Sequence, residues 1–357
     1  MRILVISNMY PSFKDPVYGT FVQSFIEQMI SLNGNKNTKK IVIKGRKTSH
    51  LAKIWDYVTF YIEIIGHLLF YKYDLIYVHT ITYPVPPLRI VRLFKKLPLV
   101  FNVHGGDVLT RGKVANYLKK CSISLLKEAK LIVSPSMFFK NILLKEFPFL
   151  KEDDIFVSPS GGVDSTFYNS SIQQENKIFT VGYVSRIDNA KGWDTFIRAI
   201  DIVKSTGYNI KGIIAGRGTQ IKEMKQMILD LSMNKDINYI GPIPYNHLPD
   251  VYKQLDLFIF PTQLEESLGL VGLEAMACRV PVIGSYIGGL KDYIQPNING
   301  FFFESSNYND LAHKILNYMQ LSSDIKESLK KNAYKTACLF SSDNVKKELY
   351  NKLKEII

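Results

Sequence analysis

The chain has 357 residues, 46% hydrophobic and 22% charged, with a formal net charge of +13. This is too long for one ordinary core and predicts two domains, and the apolar content excludes a disordered chain. Three cysteines (Cys121, Cys278 and Cys338) form no C-x-x-C pair, which excludes a disulfide framework or zinc ribbon and fits a reducing cytosol.

In chain order, "MRILVISNMYPS" reads as a first strand and not as a signal peptide, because no charged segment precedes an apolar run with a cleavage site. Residues 19–32 carry Phe21, Phe25, Ile26 and Met29 at helical spacing. The runs at 40–44, 75–80, 99–107 and 129–136 predict strands, each followed by loop residues and helical periodicity. They are apolar on both faces, as buried parallel strands are. Residues 54–71 are the most apolar segment, but Asp56, Glu63 and His67 interrupt it. A membrane span needs about 20 mostly apolar residues, so this segment predicts a crossover helix. A helix that touches a membrane surface is the other reading.

The segment 167–178 is polar and without periodicity, which predicts a linker there. A second series of strands follows at 179–185, 211–216, 237–241, 255–261 and 280–285, again separated by helical segments. Residues 342–357 predict a final amphipathic helix. The expected fold class is therefore α/β, with two doubly wound, Rossmann-like parallel-sheet domains. The expected boundaries are 1–168 and 177–340, with 341–357 packing back toward the first domain. Ligand is expected between the halves, at the carboxyl ends of the strands.

The charge is uneven. Residues 1–170 hold 23 Lys and Arg against 12 Asp and Glu, and residues 171–357 hold 22 against 20. An anionic membrane surface, an acidic substrate or a solvated surface with no partner each fits this excess. Nucleic acid is not expected as a partner, since no zinc finger, RNP-like aromatic signature or basic heptad array is present.

The stretch "EESLGLVGLEAMACRVPV" (265–282) follows an apolar strand and begins like a helix. A helix amino end presents unpaired N–H groups and binds phosphate. Glu266 precedes the predicted helix, and Glu274 lies about one and a half turns in, roughly 9 Å along the axis. Two readings follow from spacing alone. Glu266 is a capping acid and Glu274 a solvated helix residue, or the two hold a nucleotide-diphosphate sugar by its hydroxyls on either side of the phosphates.

With its Glu-x7-Glu spacing, this stretch resembles the signature of retaining glycosyltransferase family 4, which has the GT-B fold. "GYVSRIDNAKGWDTFIRAI" (182–200), "IIAGRGTQ" (213–220), "VSPSGGVDSTFY" (157–168), "VHGGDV" (103–108) and "YPSFKDPVYGTF" (10–21) are similar to further segments of that family, in order. The resemblance runs from about residue 1 to 305 and is most specific in the second half. It implies two Rossmann-like domains facing each other across a cleft.

The resemblance also implies roles. His104, Glu266, Arg186 and Lys191 would form the catalytic set, the two cations clamping the diphosphate. Gly19, Gly216, Gly218, Ser267, Leu268, Gly269, Leu270 and Glu274 would bind the donor, a UDP- or GDP-linked sugar. Asp107 and Asp164 would bind acceptor or fix loops, and His79 reads as structural. The family implies retention of anomeric configuration, no metal and no cofactor. The acceptor would be a glycan or lipid-linked glycan in polysaccharide biosynthesis, with the protein cytoplasmic or peripheral at the inner face of the membrane. A GT-B-like nucleotide-sugar epimerase, a phosphorylase and a non-catalytic nucleotide- or carbohydrate-binding protein are the alternatives. Two positions depart from the family: Gly161 stands where asparagine is usual, and Arg279 where glycine is common. The arginine predicts altered geometry at a helix end.

Overall fold

The computed structural model describes residues 1–16, 18–168 and 177–357. These residues form two compact units, Met1–Gly161 with Val345–Ile357, and Gly162–Asn344.

In the first unit, strands β1 (Ile3–Tyr10), β2 (Thr38–Lys44), β3 (Leu75–His79), β4 (Leu99–Asn102), β5 (Leu131–Ser134) and β6 (Ile155–Val157) alternate with helices. The helices are α1 (Thr20–Asn33), α2 (His50–Phe70), α3 (Val85–Arg92), α4 (Lys113–Leu126) and α5 (Met137–Glu146). The strands are parallel, in the order β2-β1-β3-β4-β5-β6. Successive strand residues face opposite sides of the sheet. Leu4 and Ile6 of β1 pack in one layer with residues of α2, α3, α4 and α5, such as Ile64, Leu88, Leu125 and Phe139. Ile3 and Val5 face the other layer, with Val22 and Phe25 of α1.

The second unit repeats the scheme with strands β7 (Phe179–Val184), β8 (Ile210–Ala215), β9 (Ile237–Gly241), β10 (Leu257–Phe260), β11 (Val282–Ser285) and β12 (Gly300–Phe303). Its helices are α6 (Trp193–Ser205), α7 (Ile221–Asp230), α8 (Leu248–Tyr252), α9 (Leu270–Ala277), α10 (Tyr308–Gln320) and α11 (Ser323–Leu339). The parallel order is β12-β11-β10-β7-β8-β9. The last helix, α12 (Ser342–Glu355), places Leu349 and Leu353 in the core that holds Phe25 of the first unit.

Three features differ from expectation. The units divide at Gly161/Gly162, not in the segment 167–178, of which residues 169–176 lie outside the described residues. Residues 162–168 belong to the second unit because Val163 bridges to Ser341 and Phe167 is buried in that unit's core. Strands β6 and β12 were not expected, being only three and four residues long, with no alternation to mark them. Arg279 does not alter the end of α9. Its N–H donates to Met276 O and that of Val280 to Ala275 O, the pattern that glycine usually completes. Arg279 takes the left-handed backbone itself, φ 63°, and lays its guanidinium 4.6 Å from the centre of the Tyr334 ring.

Leu353 is fully buried. Leu353→Ala is expected to cost about 2–5 kcal/mol of unfolding free energy in a denaturant titration. A loss under about 1 kcal/mol would show that α12 is not part of the first unit's core.

Candidate functional site: a carboxylate–lysine pair beside a helix amino end

In the second unit the loop after β7 is bonded to the loop after β10. Ala190 and Gly192 both have left-handed backbone, φ 61° and 77°. A Cβ on Gly192 would overlap the Pro261 carbonyl oxygen, so only glycine permits this approach. The N–H of Gln263 donates to Ala190 O at 2.9 Å. The hydroxyl of Tyr183 lies 2.9 Å from Arg186 O and 3.3 Å from Lys191 O, joining the two ends of the first loop.

This contact brings Lys191 onto Glu266. Lys191 Nζ donates to Glu266 Oε1 at 2.6 Å, and Thr262 Oγ1 donates to the same oxygen at 3.0 Å. The two side chains are 11% and 20% exposed, a largely buried ion pair. Arg186 stands apart from this pair. Its guanidinium is mostly exposed and bonds Asp188 at 2.8 Å. Asp188 accepts from both the N–H and the hydroxyl of Thr219, which with Arg186 hold its carboxyl below the usual range.

Helix α9 begins at Leu270, two residues later than the sequence suggests, because Gly269 caps it in a left-handed conformation. No side chain caps it. The first-turn amides therefore point out of the helix without a side-chain acceptor, and the positive end of the helix lies close in sequence to Glu266. Leu268 is buried in the core and Ser267 half-buried. Any contact from Leu268 is thus a backbone one.

Glu274 is neither solvated nor capped by a cation. It is 4% exposed, and Tyr252 donates to its Oε2 at 3.3 Å. Burial raises its pKa to about 7, against the hydrogen bonds from Tyr252 and Tyr245, which lower it. Asp164 adds to the rise and is itself half-buried, accepting from Thr166 N–H at 2.9 Å.

Gly216 and Gly218 line the loop after β8. A Cβ on either would overlap the carbonyl of Ser185 or Ile187. Their lack of side chain is thus demanded by the neighbouring loop of the chain itself.

In the first unit, His104 is half-buried at the end of β4. Its Nε2 lies 3.0 Å from His79 Nδ1, the two rings stacked at 5.3 Å, and Phe21 packs 4.4 Å away. Burial lowers the His104 pKa to about 4, so the imidazole is neutral near neutral pH. His79 Nε2 is buried with no partner. The two rings share one hydrogen bond, whose donor is set by their tautomers. Asp107 is a loop anchor. Its two oxygens accept from His104 N–H at 2.9 Å and Ile81 N–H at 3.1 Å. Burial raises its pKa. Both oxygens are thus held by backbone, which fits the second of its two expected roles, fixing a loop. Gly19 caps α1 with φ 73°, pressed against the backbone of Met9.

The family described as Glycosyl transferases group 1 matches residues 165–336, and that described as Glycosyltransferase Family 4 matches residues 32–165. The chain belongs to glycosyltransferase family 4. It is 33% identical over 144 residues to the capsular polysaccharide biosynthesis glycosyltransferase CapM of Staphylococcus aureus, across 39% of this chain and 36% of CapM. It is 28% identical over 183 residues to an uncharacterised glycosyltransferase of Methanocaldococcus jannaschii, across 50% of this chain and 45% of that protein. The chain thus spans less than half the length of these two curated relatives.

Among solved structures, a glycosyltransferase from Rickettsia africae superposes over 99% of this chain and 98% of its own, with TM-score 0.80 and 18% identity. Anabaena HepE, solved in complex with UDP, superposes over 99% and 100%, with TM-score 0.75 and 19% identity. The fold of this family-4 chain is GT-B, with two parallel six-stranded sheets.

The site of this family-4 protein contains residues that the sequence reading passed over. Thr262 shares the Glu266 oxygen with Lys191. Gly289 N–H donates to Glu266 O at 2.8 Å, and a Cβ on Gly288 would lie 2.8 Å from Glu266 N. The glycine pair in "YIGGL" was the signal available for the second. Asp188, two residues after Arg186, and His79, at the end of its strand, carried none that set them apart from structural residues.

Glu274 yields a pH prediction. Its folded pKa lies above its unfolded value of about 4.5, so its protonated form favours the fold. That stabilisation is present below about pH 4.5 and is lost as pH rises to about 7. The melting temperature of Glu274→Gln minus that of the parent is expected to rise across this window and level off above it. The histidine titrations of the first unit are common to both proteins and cancel. A flat difference from pH 4 to 8 would mean that Glu274 is not buried as described.

Proposed function

We propose that this protein is a retaining glycosyltransferase that moves a hexose from a UDP- or GDP-linked donor to a glycan or lipid-linked glycan, in the synthesis of a surface polysaccharide. In this reading it works without a metal or cofactor, as a peripheral protein at the inner face of a membrane. The observation that carries it is the Lys191–Glu266 pair beside the uncapped amino end of α9. That arrangement offers a cation and helix amides for a diphosphate, and a carboxylate for sugar hydroxyls within the same few residues. CapM, a capsular polysaccharide enzyme, and HepE, which binds UDP, lend support for the pathway and the donor.

The residues divide the work. The first-turn amides of α9, with Lys191 and the exposed Arg186, offset the charge that develops on the leaving diphosphate. These cations supply what a bound metal would otherwise supply. Glu266 accepts hydroxyls of the donor sugar and orients it. Its Oε1 already accepts from Lys191 and Thr262, which makes it a weak nucleophile. Retention is therefore assigned to departure and attack on the same face, the leaving phosphate taking the acceptor proton, and not to a glycosyl-enzyme. Glu274 accepts the ribose hydroxyls. The neutral imidazole of His104, hydrogen-bonded to His79, is available to a substrate as a hydrogen-bonding group and not as a cation.

Nucleotides should raise the melting temperature by mass action, and no acceptor is needed to see it. UDP or GDP is expected to stabilise the parent and not Glu274→Ala. If no nucleoside diphosphate or nucleotide sugar shifts the parent, the donor reading is wrong.

Binding should also depend on pH. Accepting two ribose hydroxyls requires the carboxylate of Glu274, so affinity for the nucleotide is expected to fall about tenfold per unit below about pH 7. A pH-independent dissociation constant between pH 5 and 7 would remove Glu274 from the ribose. Lys191→Ala is expected to lower turnover by about 10²–10³-fold in a donor-hydrolysis or transfer assay. Undiminished turnover would remove Lys191 from the diphosphate.

A further inference from the structure

Helix α2 is apolar on two faces, and the fold covers only one of them. Phe60, Ile64 and Leu68 are buried against the sheet. On the opposite side, Leu51, Trp55, Val58, Ile62 and Leu69 lie within about 40° of one line along the helix. Leu51, Trp55 and Ile62 are 80%, 67% and 66% exposed. Lys53, Asp56 and Glu63 all fall away from this line. An amphipathic helix with a second, uncharged apolar face in water needs a covering for it.

The neighbouring helices extend the surface. α2, α3 and α4 pack in one layer on the same side of the sheet, so their outward faces point the same way. Lys95 Nζ donates to Leu68 O at 2.6 Å and Tyr71 O at 3.1 Å, fastening the end of α3 to the end of α2. Leu93 and Phe94, just after α3, and Phe70 and Tyr71, at the end of α2, are all exposed. Between α3 and α4 lies a cavity of about 410 Å³ lined by Arg89, Lys120 and Lys127, with no acid in its lining.

Charge decides what covers this surface. Residues 46–130 hold 14 Lys and Arg against 5 Asp and Glu. A second copy of the chain would set two such basic layers face to face, whereas an anionic bilayer complements them. No helix among the described residues is long and apolar enough to cross a membrane, so a helix lying in the interface is the arrangement left for a bilayer contact.

The geometry points to the outward face of the α2–α3–α4 layer as a docking surface for an anionic lipid bilayer. The Leu51–Leu69 line enters the boundary between headgroups and acyl chains. Arg89, Lys120 and Lys127 hold a lipid phosphate beside it. The inference rests on the peripheral-membrane part of the proposed function and names the surface that performs it.

The test uses the full chain and vesicles of phosphatidylcholine with or without about one-third phosphatidylglycerol, in flotation at low and high salt. Only two tryptophans are present, and Trp193 is buried in the second unit. Trp55 emission therefore reports its own environment. Binding to the anionic vesicles with a blue shift of Trp55, weakened by salt, is the expected result. Trp55→Ser combined with Ile62→Ser is expected to reduce binding at least about tenfold. Both sites are exposed, so the melting temperature and its rise with UDP should be unchanged.

Binding unaffected by the double substitution would overturn the surface while leaving a membrane role in place. No binding by the parent would overturn both. A parent that sediments as a dimer, dissociated by the same substitutions, would assign the face to a second copy. A missing UDP shift with normal flotation would instead count only against the donor reading.

Discussion

Gly192 lies where any side chain would strike the Pro261 carbonyl, and the site of the second unit depends on that approach. The loop after β7 carries Arg186, Asp188 and Lys191, and the loop after β10 carries Thr262 and Glu266. Without the contact between the Ala190–Gly192 and Pro261–Gln263 backbones, Lys191 and Glu266 would be two solvated side chains 75 positions apart in the chain. With it they form a short, largely buried pair. Such a pair is costly to break, because removing one partner leaves the other charge desolvated and alone. The glycines on the far side, Gly288 and Gly289, apply the same logic to the Glu266 backbone. Close packing of loop on loop thus holds the Glu266 backbone from two sides.

Burial sets the charge state of the other key groups. Glu274, enclosed by Tyr252 and Tyr245, is a carboxyl poised near neutrality, and His104, enclosed by Phe21 and His79, is an imidazole kept neutral. The two shifts have one cause, the cost of a charge away from water, acting in opposite directions on an acid and a base. Asp107 shows the same cost managed differently: backbone N–H groups of His104 and Ile81 bond both its oxygens. It serves to shape the loop that presents His104.

The first unit solves a different problem. Its sheet needs a layer of helices on each side, and α2 supplies one with Phe60, Ile64 and Leu68. The opposite face of the same helix is also apolar, which a purely structural crossover helix does not require. A net positive layer around an apolar ridge is the composition of a surface that meets anionic lipid.

The alternation of short apolar runs with helical periodicity was enough to determine two doubly wound parallel sheets, because buried parallel strands and crossover helices each impose their own period. Spacing alone left Glu266 and Glu274 open between a capping acid with a solvated helix residue and a ligand-holding pair. It was the resemblance of their segment, and of the one with Arg186 and Lys191, to a known family that singled these residues out as candidates. Only the tertiary structure decided that Lys191 bonds Glu266 while Arg186 turns to Asp188, that Glu274 is buried, that Arg279 keeps a glycine's backbone, and that Val163 and Phe167 belong to the second unit. Sequence spacing reports which side chains share an element. Which charge meets which, and how far each is removed from water, depends on loops distant in the chain that the pairing of β7 with β10 in one sheet brings together.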